Sequence, residues 1–72
     1  MKKRTGALVY HPASGRMDIR FNLDSYYGGL HCGECLEVMV DGRWTVSRIE
    51  KAEDWYLVGI QADSISGLIV RI

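Results

Sequence analysis

Both cysteines of the chain and one of its two histidines fall within six residues, the stretch "LHCGEC" from Leu30 to Cys35. The Cys32-x-x-Cys35 spacing is that of half a structural zinc site, in which four thiolate or imidazole ligands form a tetrahedron. The other half is missing. His31 adjoins Cys32 and would have to turn sharply to reach the same ion, and His11 sits far upstream beside Pro12. Leu36 follows the second cysteine, where zinc knuckles carry a glycine that frees backbone N–H groups for the sulfurs. Zinc held by Cys32, Cys35 and His31, or shared across a dimer with two ligands from each chain, is therefore the alternative reading. The leading one has no cofactor.

Thiol redox chemistry needs the pair at a helix N-terminus, where the dipole lowers the thiol pKa. Here the pair precedes the alternating run "LEVMV", and no βαβ pattern surrounds it. The plainer account is a turn at Gly33 with one cysteine packed as a small hydrophobe. His31 and Cys35 then share one strand face and Cys32 takes the other.

A second set of residues suits binding. Tyr26 and Tyr27 lie in the longest irregular stretch, "NLDSYYGGLHCGE", where nothing forces them inside. Trp44 lies on a strand. Trp55 and Tyr56 are strand neighbours, so one of them must face outward. Exposed Tyr and Trp are common binding anchors. These rings, with Arg48, form the candidate partner face for a protein or peptide; the competing reading is that they cover the ends of a small core. Arg48 needs a carboxylate partner if it is partly buried, and Glu37, diagonal to it across a hairpin, is the expected one.

Catalysis has little support. There is no HExxH, P-loop, GxGxxG or nucleophile elbow. Cys32 and His31 are neighbours that a strand would point apart. The chain is read as a non-enzyme.

Bulk properties narrow the field further. Seventy-two residues suit a single small domain, 1–72, with a limited core. Nine basic and nine acidic side chains cancel, and the sole basic block is Lys2-Lys3-Arg4. That balance argues against nucleic acid, whose phosphates call for a basic excess, and leaves a nucleic-acid-binding module with a local patch as a further alternative. No apolar run of about 20 residues offers a membrane span. The opening "MKKRTGALVYHPASG" lacks the apolar core of a signal peptide. A cytoplasmic location is the expectation, and an unpaired edge strand leaves a dimer open.

The elements that must hold these residues read as all-β, with short apolar runs separated by turn residues. "TGALVYH" and "RMDIRF" form a hairpin about "PASG", with Met17, Ile19 and Phe21 inward and Arg16, Asp18 and Arg20 outward. "CLEVMV" places Leu36, Val38 and Val40 inward. Asp41-Gly42 is a type I′ turn signal, which pairs Val40 with Arg43, Glu37 with Val46 and Cys35 with Arg48. In "RWTVSRIE", Trp44 and Val46 share a face that Ile49 does not, so a bulge or a bend near Ser47-Arg48 is expected. "WYLVGI" and "LIVRI" complete the strands, with a 3₁₀ turn in "QADSISG". The reading is a small SH3-like barrel of five to six short antiparallel strands.

The run from "YYGGLHCGECLEV" through "DGRWTVSRIEKAEDWYLVG" to "GLIVRI" resembles a family of small bacterial proteins catalogued as a domain of unknown function. "LHCGE", the "W…RIE" strand and "DWYLVG" carry the resemblance. It implies low-GC Gram-positive hosts, an association with mobile elements and an SH3-like barrel, with "SISGLIVRI" as its closing turn and strand. It implies no activity.

Overall fold

The structure, a computed structural model, describes residues 3–72; Lys2 of the basic block lies outside that range. The described chain is all β. The strands are β1 (Thr5–His11), β2 (Arg16–Asn22), β3 (Ser25–Tyr26), β4 (Cys35–Val40), β5 (Arg43–Lys51), β6 (Trp55–Leu57) and β7 (Ile69–Arg71). They form one antiparallel sheet in the order β3-β2-β1-β7-β4-β5-β6. Seven strands is one more than the sequence pattern counts. The extra one, β3, is two residues long and leaves no period-two trace.

Period-two burial holds the sheet together. Leu8, Ile19, Val38, Ile49, Leu57 and Val70 are each fully buried, one from every strand except β3. Their registers agree: Leu8 faces Ile19, Val38 faces Val70 and Ile49 faces Leu57. The pairing of β1 with β2 brings the two backbones close at Gly6. A Cβ there would lie 2.5 Å from the Arg20 carbonyl oxygen, so only glycine fits.

The β4–β5 hairpin follows the expected register, from Val40↔Arg43 to Cys35↔Arg48, about a turn with positive φ at both Asp41 (49°) and Gly42 (78°). That register runs unbroken through Ser47 and Arg48, which corrects the expected bulge. Thr45, Ser47 and Ile49 form the inward row, while Val46 is 75% exposed. A serine can occupy the core face because its hydroxyl donates to the Val58 carbonyl (2.8 Å). Past Arg48, Ile49–Lys51 pair with β6.

Asp18 is the second correction. It has outward parity, yet it is buried. Its Oδ1 accepts the backbone N–H groups of Ile19 (2.8 Å), Gly28 (2.9 Å) and Gly29 (2.9 Å). The long loop therefore folds back over β2 and is pinned there, with Tyr27 N donating to Ile19 O and Leu30 N to Met17 O. Residues 65–68 close with a single hydrogen-bonded turn, Leu68 N to Ile65 O (3.2 Å), in place of the expected 3₁₀ turn.

Candidate functional site

The loop that Asp18 pins carries the "LHCGEC" residues. Gly33, at φ +90°, makes the turn, and its N–H donates to Ile49 O while Ile49 N donates to Glu34 O. The turn is thereby stitched to β5. Glu34 organises its polar side. Its Oε1 accepts the His31 N–H (2.8 Å) and lies 3.2 Å from His31 Nδ1, and its Oε2 accepts the Tyr27 hydroxyl (2.5 Å). Burial pushes the Glu34 carboxyl up, but the bonds from Tyr27 and His31 outweigh it and hold it below its ordinary value. The same hydrogen bond, with burial and the nearby carboxylate, raises the Tyr27 hydroxyl. Cys32 and Cys35 are both exposed free thiols. Among the described residues, no group of three or more His, Cys, Asp or Glu side chains is placed to hold a metal ion.

Each aromatic of the expected partner face has its own surroundings. Tyr26 meets His11 edge-on, with ring centroids 5.3 Å apart. Tyr27 bonds Glu34. Trp44, facing Met39 across the hairpin, carries the Arg71 guanidinium 4.3 Å above its ring. Arg71 in turn grips Glu37 through Nε to Oε1 (3.0 Å) and Nη2 to Oε2 (3.2 Å), and Lys3 also binds Glu37. The hydrogen bonds from Arg71, then from Lys3, bring the Glu37 carboxyl down to about 2. The expected Glu37–Arg48 pair does not form. Arg71 on the neighbouring β7 stands directly opposite Glu37, whereas Arg48 is only diagonal to it and turns to Glu50 on its own strand (2.8 Å). Arg48 and Tyr56 are brought together by Glu50, which bonds one and pairs in register with the other. Tyr56 is the outward member of its pair at 44% exposure, and Trp55 is the half-buried one.

Trp55 belongs to a different place. The inward rows of several strands run out at one mouth of the curled sheet: Tyr10 on β1, Met17 on β2, Lys51 on β5 and Trp55 on β6. Residues 63–66 approach the same mouth, and the result is a cleft of about 460 Å³. Met17 and Ile65, both buried, supply its apolar floor. Tyr10 and Trp55 supply aromatic walls. The indole is held in place by donating to the Gly15 carbonyl (2.9 Å). Glu53, Asp54 and Asp63 supply carboxylates, and the Lys51 ammonium lies 5.6 Å from the Trp55 ring centroid. Sequence reasoning found Trp55 and missed the rest. The signal was present in two turns that carry carboxylates, two in "KAED" and one in "QADS", but only the topology places them side by side.

Residues 6–72 match the family described as "Domain of unknown function (DUF5348)". The chain belongs to the DUF5348 family. A crystal structure of a protein from Ruminococcus gnavus, a low-GC Gram-positive bacterium, is similar at 54% identity and a TM-score of 0.90. The likeness covers 96% of this chain and 100% of that one, so the two share the all-β fold described here. No curated protein matches. Among the described residues, no helix is long and apolar enough to cross a membrane.

Proposed function

We propose that this DUF5348 chain is a non-enzymatic interaction module on an SH3-like barrel, and that it holds a segment of a partner protein in the cleft between Tyr10 and Trp55. What supports the reading is the fixed indole. A half-buried Trp whose N–H is already bonded to Gly15 presents a preorganised apolar wall, and it loses little freedom when a ligand lands on it. Binding clefts of this kind combine an apolar floor with a few placed polar groups. The proposal keeps Trp55 from the original partner face and adds Tyr10. It leaves Tyr26, Tyr27 and Trp44 to their local contacts. A role as an accessory protein of a mobile element, which the family resemblance implies, goes with this proposal, as does the cytoplasmic setting expected from the sequence.

The test is an NMR titration with pooled random hexapeptides. Shifts should centre on the Trp55 indole N–H and the Tyr10 amide. Shifts that centre on Tyr26, Tyr27 and Trp44, or no shifts at all, would overturn it.

A further inference from the structure

We propose that the occupant of the cleft is a cationic side chain, the lysine or arginine of an extended partner segment. This rests on the cleft being the binding site, as argued above, and adds the chemistry of what enters.

Three observations carry it. The first is local charge. The chain as a whole is neutral, with nine basic and nine acidic side chains, yet the cleft is lined by three carboxylates and one ammonium. Among the described residues, Glu53, Asp54 and Asp63 form no salt bridge, while the other ion pairs occupy Glu34, Glu37 and Glu50 elsewhere. Lys51 offsets only one of the three charges, so the mouth keeps a negative field, and such a field attracts a cation.

The second observation is shape. The carboxylates do not converge: among the described residues no group of three or more could hold a metal ion. They ring a cleft of about 460 Å³, which suits an elongated organic cation better than a point charge. An alkyl stem would lie over Met17 and Ile65, leaving the charged head at the carboxylates. Lysine and arginine side chains divide in that way.

The third observation is that a cation already uses the site. The Lys51 ammonium stands 5.6 Å from the Trp55 centroid, within the range at which a ring face attracts positive charge. It does so without bonding any of the three carboxylates. Lys51 acts as an internal stand-in that an incoming cation displaces or joins. The same position makes it a competitor.

The experiment compares four hexapeptide pools, each with one position fixed as arginine, lysine, leucine or glutamate, and reads the Trp55 indole cross-peak. The arginine and lysine pools should shift it and the other two should not. The surface triple variant Glu53→Gln, Asp54→Asn, Asp63→Asn should weaken the arginine-pool response about 10-fold, equivalent to about 1.4 kcal/mol. Lys51→Gln should strengthen it, by about 3-fold, a direction that mere loss of a contact would not produce. If the leucine or glutamate pool shifts the indole as strongly as the arginine pool, the cation is overturned and the interaction module stands. If no pool shifts it, both fall. If the triple variant leaves the arginine response unchanged, the carboxylates are not what selects the ligand, and the inference fails.

Discussion

Trp55 donates its indole N–H to the carbonyl of Gly15, 2.9 Å away and separated by 40 positions in sequence. The bond joins β6, at one end of the strand order, to the turn between β1 and β2, near the other end. It fixes the wall of the cleft and clamps the curl of the sheet with the same atoms.

Trp55→Phe keeps an aromatic wall and removes the donor. The partly buried Gly15 carbonyl loses its partner, which should lower stability by about 1 kcal/mol. Urea unfolding followed by far-ultraviolet circular dichroism reads the change. A midpoint equal to that of the parent chain would mean the bond contributes nothing.

Asp18→Ala should be far more costly. Three backbone N–H groups, those of Ile19, Gly28 and Gly29, lose one common acceptor. The expected loss is on the order of 3 kcal/mol. Hydrogen exchange should accelerate at Gly28 and Gly29 before it does at Val38. Uniform acceleration would show that the loop is not a separately anchored unit.

Gly6→Ala should destabilise by about 2 kcal/mol or more. The added methyl would meet the Arg20 carbonyl at 2.5 Å and Ile19 Cγ2 at 2.7 Å, and the first of these is backbone that cannot swing aside. Thermal unfolding of the single variant decides it.

Two neighbouring substitutions on β5 separate the inward row from the outward one. Ser47→Ala removes the bond to Val58 O and should cost about 1 kcal/mol. Val46→Ala, at a position 75% exposed, should change stability by less than about 0.5 kcal/mol. The reverse order in denaturant melts would place the valine inside.

Glu37 sets an acid limit. Its folded carboxyl lies at about 2, below the ordinary 4.5, so the folded state binds the proton less readily than the unfolded chain. Its contribution to stability is fully present above about pH 4.5 and is lost as pH falls from there toward 2. The parent chain should lose more stability than Glu37→Gln between about pH 5 and pH 2. Carboxyl carbon shifts in Arg71→Ala should show the Glu37 midpoint moving up. Parallel acid curves for parent and Glu37→Gln would refute the linkage.

Several of these features were legible in the residues alone. Asp41-Gly42 dictates positive φ twice, and with the turn placed, the whole register from Val40↔Arg43 to Cys35↔Arg48 follows by counting. Hydrophobic alternation likewise identifies Ile19, Leu36 and Val38 as core. What escaped depends on partners distant in sequence. A serine reads as outward until Val58 supplies an acceptor, and an aspartate reads as outward until Gly28 and Gly29 supply donors. Glu37 chose Arg71 over Arg48 because β7 inserts beside β4, a fact of strand order that no hairpin count contains. The cleft drew on residues 10, 17, 51, 53–55 and 63–66, and nothing local marks them as neighbours.

The three-residue strand Ile69–Arg71 lies in the middle of the sheet, between β1 and β4. The hairpins on either side can form as soon as each emerges from the ribosome, but they have no common edge to dock on until residues 69–71 have also emerged. Assembly is therefore a late event that waits on synthesis. Its rate should be governed by the long loops that must close, and until then two unfinished sheet edges stand open to any chaperone within reach.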